Sequence, residues 1–200
     1  MSIYRSFSQT PPDVREAEFN LELIYWARCY ASRGFPVFPA AMIDGRKRPL
    51  VKIGRGKAHG SRASKDLAQI EAWWTRWPLA MIGMPTGAPS GIDVIDIDVK
   101  SGVNGFNTMR QQGWELPKDT VEVRTPSGGS HFYFRHNPEL PQRSSAGLLG
   151  PGIDVRANGG MIILPPSRAS LDAPDYHYAE GQFFESEVLQ EALEAGRLTW

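Results

Sequence analysis

Two aspartates lie one residue apart inside an apolar run that is typical of a β-strand, Val94-Ile-Asp-Ile-Asp-Val. Asp is depleted in strands, so two of them in one strand point to a function. Alternate strand residues share a face, which places Asp96 beside Asp98, with about 6.6 Å between their Cα atoms, and Asp93 on the opposite face. Both carboxylates could then bind one divalent cation or bridge two. Alternatively, they lie at a solvated end of the strand and pair with basic side chains.

A glycine-rich turn forms a second candidate site, Arg124-Thr-Pro-Ser-Gly-Gly-Ser-His131. Because Gly128 and Gly129 have no Cβ, backbone N–H groups there can approach a ligand closely, and such a concavity can bind phosphate oxygens. His131 begins the next predicted strand and could donate a hydrogen bond to a phosphate. The alternative is a plain hairpin turn with a histidine at its edge.

A third candidate site is the segment Gly150-Pro-Gly-Ile-Asp-Val-Arg156. Asp154 and Arg156 share one face of a predicted strand. The aspartate could supply a third carboxylate to a metal site, and the arginine could neutralise phosphate. The alternative is an Asp–Arg pair on an exposed sheet surface, which contributes little to stability.

Hydrophobic periodicity predicts two helices in the N-terminal part of the chain. The first covers residues 14–33 and the second runs from Ser64, its N-cap, to Pro78. A short strand over 35–39 and a basic loop over 46–65 lie between them. The apolar residues expected to face the core are Leu21, Ile24, Tyr25 and Cys29 in the first helix and Leu67, Ile70, Trp74 and Trp77 in the second.

Beyond Pro78 the pattern is dominated by strands, which favours an α+β fold with a mostly antiparallel sheet. Asn158-Gly159 predicts a tight hairpin between the last two strands. A short helix is expected over 104–112, and an acidic amphipathic helix near the C-terminus has Val188, Leu189 and Leu193 on its inner face. The predicted strands cover residues 79–84, 92–99, 120–124, 131–135, 153–156 and 161–164.

The chain has 200 residues and a single cysteine, Cys29. That length suffices for one domain, or for two small lobes that share a core. One cysteine can form no internal disulfide, and a cysteine-based zinc site needs more ligands. We therefore expect no zinc, and we expect any metal to be magnesium or manganese held by carboxylates.

The charge is zero overall but unevenly distributed. Residues 46–65 are rich in Lys and Arg and contain no acid, so they could follow a phosphate backbone or form a solvated loop. No apolar run approaches the length of a membrane span, and the N-terminus lacks the apolar core of a signal peptide. The sequence therefore predicts a cytoplasmic protein without a membrane partner.

In order and spacing these motifs resemble the bifunctional primase-polymerase domain, a branch of the archaeo-eukaryotic primase superfamily. The resemblance runs from about Tyr25 to Tyr178. Its motifs are GRKRPL (45–50), AWWTRWP (72–78), IGMPTG (82–87), DIDVKSG (96–102), RTPSGGSHFYF (124–134), GPGIDVRANGG (150–160) and LPPS (164–167).

The resemblance implies an archaeo-eukaryotic primase-like catalytic fold. In that fold an RRM-like half, with a mostly antiparallel sheet, packs with an N-terminal unit of helices and strands. We therefore expect a flexible arm over 1–13 and a single catalytic domain over 14–200. Within that domain we expect an N-terminal α/β unit at about 14–90 and a metal-binding sheet unit at about 91–200.

The resemblance also implies roles for individual residues. The catalytic residues would be Asp96, Asp98, Asp154 and His131, the three acids binding Mg²⁺ or Mn²⁺ and His131 contacting the incoming triphosphate. Many members have Glu where this chain has Asp98. The other implied nucleotide contacts are Ser127, Gly128, Gly129, Arg156, Ser167 and Lys47. The expected nucleic-acid contacts are Lys47, Arg48, Lys52, Arg55 and Lys57.

The implied activity is template-dependent nucleotidyl transfer, as a DNA primase, a DNA polymerase or both. The implied partners are a single-stranded DNA template, nucleoside triphosphates and a replicative helicase in trans. The setting would be the replication of a plasmid, phage or other mobile element. Two alternatives stay open: a metal-dependent nuclease, and a non-catalytic DNA-binding module of replication initiation.

Overall fold

The computed structural model of the protein describes residues 14–51, 63–100, 102–116, 120–139, 143–180 and 182. Three expectations lie outside the described residues: the N-terminal arm, the acidic C-terminal helix, and the part of the basic stretch with Lys52, Arg55 and Lys57. In the part of the chain that is described, no helix is both long and apolar enough to cross a bilayer.

The described residues form three helices and eleven strands. The helices are α1 (Val14–Ser32), α2 (Leu67–Arg76) and α3 (Gly105–Gln112). The strands are β1 (Phe38–Ile43), β2 (Arg46–Pro49), β3 (Met81–Pro85), β4 (Ile92–Ile97), β5 (Val99–Lys100), β6 (Val103–Asn104), β7 (Val121–Arg124), β8 (Ser130–Arg135), β9 (Ile153–Arg156), β10 (Met161–Leu164) and β11 (His177–Tyr178). The predicted α+β class with antiparallel pairing is confirmed.

The chain forms two compact units. Unit 1 consists of the described residues up to Met84 together with Ile163–Asp175. Unit 2 consists of Pro85–Ile162 and the described residues from Tyr176 onwards. A four-stranded sheet in the order β10-β3-β1-β2 belongs mainly to unit 1, and a five-stranded sheet in the order β11-β7-β8-β4-β9 belongs to unit 2.

Helix α1 buries a different face from the predicted one. Leu21 and Tyr25 are 67% and 62% exposed. The buried stripe, at the four- and three-residue steps of one helix face, is Phe19, Leu23, Ala27 and Tyr30. The sequence offered two apolar faces, and tertiary contacts within unit 1 select between them. The Tyr30 hydroxyl, for example, donates a hydrogen bond to the carbonyl of Pro165 at 2.9 Å.

A tight hairpin covers the end of the strand predicted over 35–39 and the start of the predicted basic loop. Strand β1 begins only at Phe38 and pairs antiparallel with β2, so residues 46–48 lie on a strand. Asp44 and Gly45 form the two-residue turn, with φ angles of 51° and 70°. Asp-Gly is a strong sequence signal for such a turn, and the basic residues of β2 follow it directly.

Helix α2 is close to its prediction but begins at a different cap. Asp66, and not Ser64, is the N-cap, because its carboxylate accepts hydrogen bonds from two backbone N–H groups of the first turn. The Ser64 hydroxyl accepts instead from the N–H of Asp66. Trp74 is buried as predicted, and its indole Nε1 donates to the carbonyl of Ala80.

The sheet of unit 2 has antiparallel neighbours throughout its five strands. One of its faces packs against α3 and forms an apolar cluster. The buried members of that cluster are Ile95, Ile97, Met109, Phe134 and Ile153. The opposite face carries Asp96, His131, Asp154 and Arg156, together with the buried Val94 and Tyr133.

The predicted hairpin at Asn158-Gly159 is wrong. Strand β9 belongs to the five-stranded sheet and β10 to the four-stranded sheet, so the two strands do not pair. The Asn158 side chain accepts a hydrogen bond from the N–H of Ala88 at 3.0 Å, and Gly87 has no space for a Cβ beside Asn158. A packing role within unit 2 thus explains an asparagine that local turn statistics assign to a hairpin.

Candidate functional site

Asp96 lies at the centre of the sheet face opposite α3. Its partner in the β4–β8 ladder is His131, and its partner in the β4–β9 ladder is Asp154. Directly opposed residues of neighbouring strands project from the same face, so these three side chains form a row across the sheet. The row depends on the strand order β8-β4-β9, which no local sequence pattern specifies.

Asp98 follows the last residue of β4 and is held there by its backbone. Its N–H donates to the carbonyl of Gly152 at 2.8 Å, and its carbonyl accepts from the N–H of Gly105 at 2.9 Å. A Cβ on Gly105 would collide with the carbonyl oxygen of Gly152, so this approach requires glycine. As a result Asp96, Asp98 and Asp154, here called the carboxylate cluster, each offer an oxygen within 4.8 Å of the others.

Asp93 lies on the other face of β4, as strand alternation predicts, and takes no part in the cluster. It is buried, and its two carboxylate oxygens lie 3.0 and 3.1 Å from Nδ1 of His136. Burial raises the pKa of the Asp93 carboxyl above its usual range, and the contact with His136 opposes that shift. Asp93 and His136 therefore form a buried polar contact on the sheet face that packs against α3.

Arg156 bridges two members of the carboxylate cluster. Its Nη2 lies 2.6 Å from Oδ2 of Asp154 and 3.1 Å from Oδ2 of Asp96, and its Nε lies 3.2 Å from the same Asp96 oxygen. The other oxygen of Asp154 accepts a hydrogen bond from the backbone N–H of Gly147 at 2.8 Å. Both oxygens of Asp154 are therefore fixed, one by a backbone amide and one by a side chain.

Lys100 contacts the third carboxylate. Its Nζ lies 2.7 Å from Oδ2 of Asp98, and its side chain is 61% exposed. The sequence-based assignment overlooked Lys100, although its position two residues after Asp98 in an extended segment was a usable signal.

His131 is 3% exposed and lies beside two tyrosines. Its Nε2 lies 3.5 Å from Oδ1 of Asp96, and its ring centroid lies 6.5 Å from that of Tyr133 and 5.7 Å from that of Tyr176. Burial, reinforced by the charge of Asp96, raises the pKa of the Tyr176 hydroxyl above its usual range. Tyr176 had no motif signal, because it comes from a distant part of the chain. The imidazole therefore borders both the carboxylate of Asp96 and two aromatic rings.

The glycine-rich turn joins β7 to β8 and presents Ser127 and Gly128 at the surface. The N–H of Thr125 donates to the carbonyl of Gly129, and the Thr125 and Ser127 hydroxyls lie 3.1 Å apart. Gly128 has a φ of 84°, which favours glycine. Gly129 is buried, and a Cβ there would collide with the carbonyl oxygen of Ile97. Close backbone packing therefore accounts for the second glycine.

The remaining described candidates belong to unit 1. Lys47 and Arg48 are exposed on β2. Ser167 is fully buried, and its hydroxyl accepts a hydrogen bond from the N–H of Ile82 at 2.8 Å. This hydrogen bond gives Ser167 a packing role that needs no nucleotide.

The donor atoms of the carboxylate cluster suit a hard divalent cation. Mg²⁺, Mn²⁺ and Ca²⁺ prefer carboxylate oxygen, and three acids at this separation would repel one another without positive charge beside them. The chain could thus bind a divalent cation at this cluster.

One family model matches residues 27–193, and its description is bifunctional DNA primase/polymerase, N-terminal. The match covers most of the chain and includes all members of the carboxylate cluster, His131 and Arg156. No curated protein matches the sequence.

Proposed function

Because the chain belongs to the family of the bifunctional DNA primase/polymerase N-terminal domain, we propose that it is a template-dependent nucleotidyltransferase. It would join nucleoside triphosphates on a single-stranded DNA template, by priming, by extension or by both. We further propose that it serves the replication of a plasmid, phage or other mobile element, with a replicative helicase in trans.

The convergence of three carboxylates on one sheet face is the observation that supports a catalytic role most strongly. Asp96, Asp98 and Asp154 would hold two Mg²⁺ or Mn²⁺ ions. Such ions, when bound, supply Lewis acidity for the attacking oxygen and for the oxygen of the leaving group. A binding module without catalysis has no need for three acids that repel one another at this separation.

The reaction proposed is attack by a 3′-hydroxyl on the α-phosphorus of a nucleoside triphosphate. A bond forms between the 3′-oxygen and the α-phosphorus, the bond to the bridging oxygen breaks, pyrophosphate leaves, and the hydroxyl proton passes to solvent. The protein mainly positions the reactants and neutralises charge. Base pairing with the template selects the nucleotide, so no base-reading pocket is required.

Other side chains would contribute through their charge and position. His131 would act at the triphosphate beside Asp96, and Arg156 would neutralise phosphate charge. Exposed Ser127 and Gly128, together with Gly129, would border the phosphates. On the exposed strand β2, Lys47 is the proposed nucleotide contact and Arg48 is a proposed template contact, because consecutive residues of a strand project to opposite faces. Lys52, Arg55 and Lys57 are further proposed template contacts. Ser167 is fully buried and hydrogen-bonded to the N–H of Ile82, so no nucleotide contact is proposed for it.

An incorporation assay tests the proposal. The full chain is incubated with labelled ribo- or deoxynucleotides on a single-stranded template, with and without a primer, first in Mg²⁺ and then in Mn²⁺. We expect template-dependent products that disappear on chelation of the divalent ion. In a parallel arm, shortening of labelled DNA without incorporation would support the nuclease alternative. Binding of DNA without either reaction would support the non-catalytic one.

A further inference from the structure

We propose that Arg156 and Lys100 are exchangeable counter-ions of the carboxylate cluster. They hold the acids together until a divalent cation displaces them, and they then bind the phosphates of the incoming nucleotide. The second step rests on the proposed function, because it needs a nucleotide as the ligand. The first step concerns metal binding alone and can be tested separately.

Arg156 contacts oxygens that a cation at the cluster requires. Oδ1 of Asp154 is held by the backbone N–H of Gly147, so Oδ2 is the oxygen that a side-chain movement can release. The Nη2 atom that contacts this Oδ2 also contacts Oδ2 of Asp96. A divalent cation at these oxygens would lie next to the guanidinium charge. Two cations repel strongly in a partly buried site, so they bind in competition.

Lys100 has the same relationship to Asp98, in a more solvated setting. Its ammonium contacts Oδ2 of Asp98 at 2.7 Å, and its side chain is 61% exposed, against 31% for the Arg156 side chain. Solvent screens the lysine charge more strongly, and its flexible stem lets it leave easily. Lys100 should therefore compete with a cation less strongly than Arg156 does.

A nucleoside triphosphate is the anion best suited to receive the displaced side chains. Arginine binds phosphate in a bidentate manner, and lysine binds it as a point charge. Once a divalent cation has taken over the carboxylates, both side chains lie beside the cluster without their former partners. A polyanion that arrives with the metal supplies new ones. Metal and nucleotide should therefore bind cooperatively, and metal alone should bind weakly.

The first test measures Mn²⁺ binding to the full chain by electron paramagnetic resonance of the free ion, without nucleotide. We expect Arg156→Gln to tighten Mn²⁺ binding about tenfold and Lys100→Gln about threefold, because each removes a competing charge. Arg110→Gln is the matched control, since Arg110 lies on α3 in the same unit and hydrogen-bonds to Asn107. Lys65→Gln is the control for the lysine. Unchanged or weaker Mn²⁺ binding by both cluster variants would overturn the inference.

The second test measures binding of a fluorescent, non-hydrolysable nucleoside triphosphate in saturating Mn²⁺. We expect Arg156→Gln and Lys100→Gln to weaken this binding about tenfold and about threefold, in the direction opposite to their effect on Mn²⁺ alone. A residue with a purely structural role would weaken both. Tighter metal binding with unchanged nucleotide binding would overturn the second step.

Thermal unfolding controls for damage to the fold. Arg156→Gln leaves Asp96 and Asp154 facing each other, so we expect a lower melting temperature and a larger rise on adding Mn²⁺ than in the wild type. Arg156→Lys keeps the charge, so its melting temperature should lie between those of the wild type and Arg156→Gln. It replaces Arg156→Gln in the binding tests if the glutamine variant does not fold. The two proposals can fail separately. If the variants tighten Mn²⁺ binding and weaken nucleotide binding but the wild type incorporates no nucleotide, the counter-ion exchange stands and the polymerase function is refuted. If the wild type incorporates nucleotide but Arg156→Gln binds Mn²⁺ no more tightly, the polymerase function stands and the counter-ion exchange is refuted.

Discussion

Asp96 and Asp154 are direct partners across the β4–β9 ladder, so their carboxylates leave the sheet side by side. Arg156, two residues further along β9, reaches back to contact both. The pairing register sets the positions of the two acids, and the backbone N–H of Gly147 further holds one oxygen of Asp154. Asp98, in contrast, depends on the backbone contacts that Gly105 and Gly152 make with it. The cluster thus has a rigid pair and one more adjustable member.

Replacing Asp96 or Asp154 should sharply reduce catalysis and preserve the fold. We expect Asp96→Asn or Asp154→Asn to lower nucleotide incorporation by about two to four orders of magnitude, because an amide is a poor ligand for a hard cation. Removing one of several like charges also relieves repulsion, so the free energy of unfolding should change by about 1 kcal/mol or less. Primer extension and urea denaturation measure the two quantities.

Asp172→Asn is a suitable control for these variants, because Asp172 is exposed and pairs with Arg15 on the surface of unit 1. It should leave incorporation unchanged. Near-normal incorporation by Asp96→Asn or Asp154→Asn would contradict the assigned role of these acids.

Most of the individual elements could be predicted from the sequence because they follow local patterns. Alternation in β4 placed Asp96 and Asp93 on opposite faces, and the strands on either side of the glycine-rich turn were found. The α+β class also followed from the order of the elements. These features depend on residues that are close in the sequence, so local sequence patterns suffice to predict them.

The remaining features depend on contacts between distant residues. No local pattern shows that β9 pairs with β4 and not with β10, which is why the hairpin prediction at Asn158 failed. The prediction of the buried face of α1 was wrong for the same reason. That face is selected by distant contacts such as the hydrogen bond from the Tyr30 hydroxyl to the carbonyl of Pro165. Tyr176 lies beside His131 only after the chain has returned to the sheet, so no motif indicated it.

Substitution of His131 should affect the nucleotide more than the template. We expect His131→Ala to raise KM for the nucleoside triphosphate by about tenfold or more while template affinity changes little. The reason is that the imidazole lies beside Asp96 in unit 2, whereas the exposed basic strand β2 belongs to unit 1. Steady-state kinetics and DNA binding by fluorescence anisotropy measure the two effects. Equal losses in both would count against a role at the triphosphate.

Lys47 and Arg48 should have different ligands. Consecutive residues of a strand project to opposite faces, so one ligand surface cannot easily use both side chains. We expect the double variant Arg46→Ala, Arg48→Ala to weaken single-stranded DNA binding and to reduce the salt dependence of log K by about 1.4, the value for two lost phosphate contacts. Lys47→Ala should instead raise KM for the nucleotide. An identical salt dependence in the wild type and the double variant would exclude these arginines as phosphate contacts.

The two glycines of the β7–β8 turn should tolerate alanine differently. Gly129→Ala puts a Cβ against the carbonyl of Ile97, so we expect a loss of about 2–4 kcal/mol of unfolding free energy. A Cβ on Gly128 would meet no neighbouring atom, and the only penalty is the left-handed backbone conformation. Gly128→Ala should therefore lower the free energy of unfolding by about 1 kcal/mol. Urea denaturation of both variants gives the comparison. Equal losses would mean that the turn does not pack against β4 as described.

Alkaline pH should destabilise the protein through two buried tyrosines. Burial raises the pKa of the Tyr133 and Tyr176 hydroxyls, with a further contribution from nearby negative charge. In the unfolded chain tyrosine loses its proton near about pH 10. Above that pH the folded state binds more protons than the unfolded state, so stability is complete below about pH 10 and falls as the pH rises.

Two measurements check this expectation. Urea denaturation at increasing pH should show a steeper loss of stability in the wild type than in Tyr176→Phe, which cannot ionise at this position. The absorbance of tyrosinate should show that at least two of the 6 tyrosines ionise only when the chain unfolds. If all of them ionised while circular dichroism still reported a folded protein, the packing of Tyr133 and Tyr176 around His131 would be looser than the structure shows.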